Sequence, residues 1–170
     1  QRRRPTYLRL GKKAMPANLG VQGSASAPAF AIGKAITLCE GDDVTFVATG
    51  ETVLPAYQAA QELGANGIGA TVLSLHTLRP LDSEAILAAA RRARAVVTVE
   101  EHSVLGGLGS TVASLLMQAG VYRPLRIVGI PDEYTYTGGQ LEIFAHYGIS
   151  PSGLAQTARE LLAQASPVAA

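Results

Sequence analysis

Residues 96–116 have the sequence VVTVEEHSVLGGLGSTVASLL, and the fold prediction rests on this stretch. The β-branched run Val96–Val99 predicts a buried strand, and the glycine-rich stretch 106–109 predicts a tight turn. Apolar residues then recur at helical spacing over 112–116. An open α/β sheet binds its ligands beyond the carboxyl ends of its strands. A strand, a turn and a helix in this order therefore mark the region where a ligand or a partner is expected.

The surrounding residues predict four further strands and four further helices. A turn at residues 40–43 joins the first two strand candidates so closely that we predict an antiparallel hairpin. Asp82 is a good N-cap, and Ser150 is followed by Pro at a first helical position. The strand candidates are Phe30–Leu38, Val44–Ala48, Ile68–Leu75, Val96–Val99 and Leu125–Ile130, and the helix candidates are Thr52–Leu63, Asp82 to about Arg92, the stretch ending near Ala119, Leu141–Tyr147 and Pro151 to about Gln164.

This order of elements predicts a three-layer, doubly wound α/β fold with a mostly parallel five-stranded sheet and one antiparallel edge strand. A short strand is also predicted over residues 5–10, PTYLRL, because its side chains alternate. Residues 11–28 are rich in Gly, Ala, Ser and Pro without periodicity, which indicates a linker and a domain boundary. The first strand begins almost at once and no Met precedes it, so we expect a piece of a longer product.

The composition excludes several classes of protein. The 170 residues are 48% hydrophobic and 16% charged, which is typical of a globular domain and not of a disordered chain. The net charge of +1 gives no sign of a nucleic-acid-binding surface, and no apolar run reaches the ~18 residues of a membrane span. The single Cys39 excludes a disulfide within the chain and fits a reducing compartment, so we expect a cytoplasmic protein.

The glycine-rich turn is the first candidate site. Backbone N–H groups at a helix N-terminus bind anions, and glycine lets a phosphate approach closely. Gly106, Gly107, Gly109 and Ser110 are therefore a candidate anion loop, although the stretch matches neither Gly-x-Gly-x-x-Gly nor a P-loop. It also begins six residues beyond the predicted strand end. The alternative is a turn whose glycines allow the backbone to pack tightly against a neighbour.

Glu100, Glu101 and His102 are a candidate acid–base set at the carboxyl end of the same strand. Successive side chains of an extended strand point to opposite faces, so the two glutamates are not expected to form a paired-carboxylate site. The alternative is that the three residues order the following turn or pair with a basic residue of another domain. His76 and His146 have no metal-ligand spacing, so no metal site and no self-sufficient active site is predicted.

Four segments of the chain form a specific set when taken together. They read VATGETVLPAYQAAQEL, HTLRPLD, VVTVEEHSVLGGLGS and GIPDEYTYTGGQLEIFAHYGI. In this order and spacing, over about residues 30–165, they resemble the C-terminal domain of transketolases, and most closely the C-terminal subunit of bacterial split transketolases. The second and third segments are shared with 1-deoxyxylulose-5-phosphate synthase and with the beta subunits of 2-oxo-acid dehydrogenases. The block from Pro131 to Gly148 favours transketolase over both.

The resemblance implies a division of the chain. Residues 1–12 correspond to the end of the family's middle, pyrimidine-binding domain, 13–28 to a linker, 29–165 to the C-terminal domain and 166–170 to a frayed tail. In transketolases an Arg in the last strand of the middle domain helps to hold the phosphate of the sugar substrate, and Arg9 is the matching position. A guanidinium suits that task because it binds phosphate in a bidentate manner. The alternative is a surface Arg at the end of a strand.

The resemblance also implies a reaction that this chain does not perform alone. Transketolases move a two-carbon ketol unit between sugar phosphates, in the pentose phosphate pathway, on thiamine diphosphate held with magnesium by a Gly-Asp-Gly…Asn motif of the first domain. This chain contains no Gly-Asp-Gly sequence. The resemblance therefore carries over no catalytic residue, and we expect neither thiamine diphosphate nor Mg²⁺ to bind this chain. The expected partners are the N-terminal and middle domains, or the corresponding subunit, and a second copy in a dimer.

Two hypotheses from other classes remain at this point. The chain could be a regulatory module whose turn at 106–110 takes an anion or a nucleotide. It could also be a pure interaction module, because its apolar composition and weak charge predict a face that is covered by a partner.

Overall fold

A computed structural model describes residues 5–11, 30–135 and 137–165. These residues contain five strands and five α-helices, and a 3₁₀ turn, Gly50–Thr52, precedes the first helix. The strands are β1 Ile36–Cys39, β2 Val44–Ala48, β3 Ala70–Ser74, β4 Ala95–Ser103 and β5 Leu125–Ile130, and the helices are α1 Val53–Gly64, α2 Ser83–Arg92, α3 Leu108–Gln118, α4 Gln140–His146 and α5 Pro151–Gln164.

The strands form one sheet in the order β1-β3-β2-β4-β5. Strands β2 to β5 are parallel, and β1 is antiparallel at one edge. The predicted fold class is confirmed. The predicted hairpin is wrong, because β1 pairs with β3 and not with β2. Both sides of β2 are taken by parallel neighbours, β3 and β4, so no edge of β2 is left for β1.

Each face of the sheet is covered by a pair of helices. On one face Phe46 of β2 packs in a cluster with residues of α1 and α5, and on the other face its neighbour Val47 packs with residues of α2 and α3. Both side chains are fully buried. The two-residue period of a strand thus sends consecutive apolar side chains into separate cores, which explains why β2 is apolar without interruption.

The helix signals in the sequence are confirmed at the atomic level. A side-chain oxygen of Asp82 accepts a hydrogen bond from the N–H of Ala85 at the start of α2, and Ser150 Oγ accepts one from Gly153 at the start of α5. Asp82 also accepts a hydrogen bond from the N–H of Ala35, so this cap ties the first turn of α2 to the chain just before β1.

The predicted bounds of three strands need correction. β1 and β3 are shorter than Phe30–Leu38 and Ile68–Leu75, and β4 continues four residues beyond Val99, so only Val104 and Leu105 separate it from Gly106. Residues 5–10 have no regular structure, because a strand requires a partner and none pairs with this segment within the described parts of the chain. The predicted linker 13–28 and tail 166–170 lie outside the described residues. No described helix is long and apolar enough to cross a membrane.

Candidate functional site at the carboxyl edge of the sheet

The last residues of β4 bring the predicted site residues to the carboxyl edge of the sheet. The pairing with β5 is irregular between Val99 and Ser103, so Glu100, Glu101 and His102 lie in a bulged part of the strand. Gly129 of β5 faces this bulge, and a Cβ there would lie 2.8 Å from the carbonyl oxygen of His102. Successive side chains of a strand point to opposite faces, so the two neighbouring glutamates reach different elements, as the sequence predicts.

Glu100 turns inward and caps helix α3. Its residue is only 2% exposed, and its carboxylate accepts hydrogen bonds from the N–H of Leu108 at 2.8 Å and of Gly109 at 2.9 Å. These N–H groups have no partner within the helix, and the positive end of the helix dipole favours a carboxylate at this place. Two of the amides that an external anion would use are therefore occupied by a side chain of the protein itself.

The glycines of the turn let this cap form. A Cβ on Gly107 would overlap the carboxylate of Glu100, and a Cβ on Gly109 would lie 2.7 Å from Thr98 Oγ1 and 2.8 Å from Ile127 Cγ1. Gly106 instead has open space around it and a φ of +72°, a conformation that favours glycine. Close packing thus accounts for Gly107 and Gly109, and backbone conformation accounts for Gly106.

Ser110, in the first turn of α3, hydrogen-bonds with the backbone of the turn that precedes this helix. Its Oγ accepts a hydrogen bond from the N–H of Gly106 at 3.1 Å and donates one to the carbonyl of Val104 at 3.2 Å. The turn between β4 and α3 is consequently held by its own side chains. Leu105 at its tip is 64% exposed and is the apolar group that the turn presents to the outside.

Glu101 turns the other way and pairs with Arg9. The Glu101 side chain is 4% exposed and forms an ion pair with the Arg9 guanidinium, whose side chain is 46% exposed. Gly50 leaves room for this carboxylate, because a Cβ at Gly50 would lie 3.3 Å from Glu101 Oε1. The structure therefore brings together two residues that the sequence placed in separate candidate sites.

Glu51 lies beside this pair and was not singled out in the sequence. It follows β2, as Glu101 follows the core of β4, and it is 7% exposed. Gln140 donates a hydrogen bond from Nε2 to Glu51 Oε2 at 2.6 Å, and Gly11 packs against the same carboxylate. Its position three residues after the buried strand β2 was the signal that could have found it, because β2 and β4 are parallel neighbours whose carboxyl ends meet at one edge.

The histidines do not converge. The His76 ring lies 4.3 Å from the ring of Phe30, and Nδ1 hydrogen-bonds with Thr77 Oγ1, while Nε2 is buried without a hydrogen-bond partner. His102 is exposed, and His146 packs edge-on against Tyr147. Over residues 5–11, 30–135 and 137–165, no group of three or more His, Cys, Asp or Glu is arranged to hold a metal ion.

Cys39 is separate from this edge. Burial raises the pKa of its thiol above the usual value, and a hydrogen bond with the backbone of Val72 opposes that rise only in part. Its Sγ lies 3.4 Å from the carbonyl oxygen of Ala70, with which it hydrogen-bonds. A thiol with a raised pKa is a weak nucleophile at neutral pH, so Cys39 is a structural residue in this fold.

Comparison with known families places this edge in context. The family described as "Transketolase, C-terminal domain" matches residues 33–154. The chain belongs to this family. Among curated relatives, a subunit of the apulose-4-phosphate transketolase of Phocaeicola vulgatus is 45% identical over 158 residues, which are 93% of this chain and 49% of the relative. The 1-deoxy-D-xylulose-5-phosphate synthase of Gloeobacter violaceus is 44% identical over 139 residues, 82% of this chain and 22% of that enzyme. The chain thus spans at most about half the length of these relatives.

Solved structures agree with the transketolase C-terminal fold. A structure titled "Split gene transketolase, inactive beta4 tetramer" matches with a TM-score of 0.76 and 35% identity over 84% of this chain and 47% of the other. A transketolase from Pichia stipitis, the R525L mutant, matches with a TM-score of 0.59 and 26% identity over 81% of this chain and 20% of that enzyme. The mixed five-stranded sheet is therefore the architecture of the family.

Proposed function

We propose that this chain is the C-terminal part of a thiamine-diphosphate-dependent transketolase, in which it supports assembly and contributes no catalytic group. The observation that carries this proposal is the buried Glu100 carboxylate on the N-terminus of α3. In an α/β domain this end of the sheet is the usual ligand site. Here the Glu100 side chain already occupies the backbone N–H groups at the start of α3 that a ligand would use. We therefore assign the surrounding surface to docking with a partner.

The residues present do not fit thiamine diphosphate. The sequence contains no Gly-Asp-Gly motif, and the carboxylates described at the carboxyl edge already have partners: Glu100 has backbone amides, Glu101 has Arg9 and Glu51 has Gln140. We therefore assign the cofactor and its Mg²⁺ to other domains or to another subunit of the complete enzyme.

The proposed partners are the N-terminal and middle parts of the enzyme and a second copy of this chain. The Phocaeicola vulgatus relative is named as one subunit of its enzyme and is about twice as long as the matched region, and the related solved structure is titled a tetramer of beta subunits. Exposed apolar side chains follow the carboxyl ends of β3, β4 and β5 or lie in α4. They are Leu78, Leu105, Tyr134 and Leu141. Apolar side chains exposed beside a polar network are typical of a surface that a partner covers.

Calorimetry and reconstitution test this proposal. The chain alone is expected to bind no thiamine diphosphate and to show no ketol transfer, whereas addition of the complementary N-terminal and middle parts should give cofactor binding and activity. The readout is turnover of a ketose phosphate donor with an aldose phosphate acceptor. Micromolar binding of thiamine diphosphate by the chain alone would overturn the proposal, and so would full activity of the complementary parts without this chain.

A second candidate is the C-terminal domain of a 1-deoxy-D-xylulose-5-phosphate synthase, favoured by the 44% identity to such an enzyme. The match to the transketolase subunit extends over more of this chain, 93% against 82%, which favours transketolase. Product analysis of the reconstituted enzyme separates the two, since formation of 1-deoxy-D-xylulose 5-phosphate would identify the synthase.

The anion-binding module is the weaker alternative, because Glu100 occupies the amides of Leu108 and Gly109 and repels a second anion. A titration with inorganic phosphate distinguishes it. A phosphate-dependent rise in melting temperature that Glu100→Gln increases would support anion binding at the turn, and an unchanged melting temperature would exclude it.

A further inference from the structure

We infer that Glu101 is the residue by which the C-terminal domain holds Arg9, and through it the incoming segment 5–11, in a fixed position. We call this ion pair the Arg9–Glu101 latch. Its meaning rests on the proposed function, in which segment 5–11 leads in from the preceding domain. The latch then sets how the preceding domain sits on the carboxyl edge of this sheet.

Apolar burial does not hold the segment. Its apolar side chains Tyr7, Leu8 and Leu10 are 88%, 76% and 78% exposed. A stretch with so little buried apolar surface gains little from the hydrophobic effect, and polar contacts must fix it if it is fixed at all. The ion pair of Arg9 with Glu101 supplies such a contact across 92 positions of sequence.

The fold of the domain fixes the Glu101 side of the latch. Glu101 lies near the end of β4, which pairs with β2 and β5 up to Val99, and its side chain is 4% exposed, so the carboxylate has little freedom and little water. A buried carboxylate needs a cationic or hydrogen-bonding partner, because an unpaired one bears the full cost of desolvation. Arg9 supplies that partner through its guanidinium.

A second contact, between Gly11 and Glu51, makes the position of segment 5–11 specific. Gly11, two residues after Arg9, packs against the Glu51 carboxylate without a side chain of its own. Glu51 is held from the other side by Gln140 at the start of α4. Two βα turns, after β2 and after β4, therefore present carboxylates to one short segment. The partner that this surface fits is an extended segment with a guanidinium followed two residues later by glycine.

The geometry also assigns Arg9 a task other than the one implied by the family resemblance. At least one N–H of its guanidinium is committed to Glu101, and the paired carboxylate neutralises its charge. A guanidinium has five N–H donors, so the half-exposed remainder can still donate to another group. Glu101 is accordingly a positioning residue, and its effect on any ligand passes through Arg9.

Cleavage of the Arg9–Leu10 bond by an arginine-specific protease tests the latch in the full chain without any partner, and such a protease spares the nearby Lys12 and Lys13. The protease must take the Arg9 side chain into its own pocket, so pairing with Glu101 should protect this bond. Glu101→Gln removes the charge and keeps the size, and it should raise the initial rate of formation of the long fragment beginning at Leu10 by about tenfold, which corresponds to about 1.4 kcal/mol. Mass spectrometry measures that fragment directly.

The matched control is Glu62→Gln, which breaks the ion pair of Glu62 with Arg159 on the surface of α1 and α5. Its cleavage rate at Arg9 should equal that of the unmodified chain. Cleavage at Arg94, which lies just before β4 and whose N–H donates a hydrogen bond to the carbonyl of Asp43, reports unfolding. An equal rate at Arg9 in the unmodified chain and in Glu101→Gln, or a rise matched by Arg94 or by Glu62→Gln, would overturn the latch.

The latch and the proposed function fail in different ways. The cleavage assay uses the chain alone, whereas reconstitution of ketol transfer needs the complementary parts. A protected Arg9 with no reconstituted activity would sink only the proposed function. Reconstituted activity with an unprotected Arg9 would sink only the latch.

Discussion

Glu100 and Glu101 are consecutive in the sequence, but they belong to two different regions of the molecule. Glu100 faces the interior and completes the N-terminus of α3, a contact between two elements of one core. Glu101 faces segment 5–11 and pairs with Arg9, so this contact joins the domain to that segment. They diverge because consecutive side chains of β4 point to opposite faces of the sheet.

The difference shows how one strand end can serve both stability and docking. Both carboxylates are almost fully buried, so both need partners, but the partners differ in kind. The amides of α3 are fixed by the helix and are present whenever the domain is folded. The guanidinium of Arg9 is half exposed on a segment without regular structure, so it can leave. Substitution of Glu100 should therefore destabilise the fold of the domain, whereas substitution of Glu101 should mainly release segment 5–11.

The largest effect is expected for Glu100→Gln. The substituted amide can accept only at one atom, and its NH₂ group faces a backbone N–H, so one buried donor at α3 is left unsatisfied. We expect a loss of about 3 kcal/mol in the free energy of unfolding. Urea denaturation measures it, with Glu101→Gln as the matched control. A loss no larger than that of the control would show that the cap contributes little.

Gly109→Ala should come next. A Cβ there would meet Thr98 and Ile127, and forcing extra atoms into a packed region typically costs about 1–3 kcal/mol. The greater helix propensity of Ala offsets part of this, so we expect a net loss of about 2 kcal/mol. Gly64→Ala at the end of α1 is the control, because nothing lies within 4 Å of its Cβ position. Urea denaturation of both variants is the measurement, and equal stability of the two would refute the packing role of Gly109.

The sequence predicted the fold well because its signals are local. The apolar strands, the Asp82 cap and the Ser150-Pro151 helix start act within a few residues of where they stand in the chain. The pairing of β1 was missed because the turn at residues 40–43 suggested a hairpin. The competition among β1, β3 and β4 for the two sides of β2 depends on all strands together.

The candidate site was predicted as a list of residues but not as an arrangement. The carboxyl end of β4 and the glycine turn were found, since strand, glycine and helix signals are adjacent in sequence. The opposite directions of the two glutamates follow from strand alternation, but their partners were not predicted, because these contacts depend on how α3 and segment 5–11 pack against β4. The pairing of Arg9 with Glu101 spans 92 positions and leaves no local pattern.

Glu101→Gln should affect stability less than Glu100→Gln does. Loss of the charge releases Arg9 together with its segment, and the neutral amide costs less to keep buried than an unpaired carboxylate. We expect a loss of about 1 kcal/mol in the free energy of unfolding. The double variant Arg9→Gln/Glu101→Gln should lose no more than the Glu101 variant alone, since both act on one contact. Additive losses in a urea-denaturation cycle would show that the two side chains act independently.

The smallest effect is expected at Gly106, where conformation alone is at stake. Its φ is +72° and its Cβ position is open, so Ala adds no clash there but must adopt the left-handed region, at a cost of about 1 kcal/mol. Asn tolerates that region, so Gly106→Asn should lose less than half as much. Urea denaturation of the two variants separates the explanations. If Ala and Asn are equally destabilising, a contact and not the backbone dihedral governs this turn, and the distinction between Gly106 and its close-packed neighbours Gly107 and Gly109 is lost.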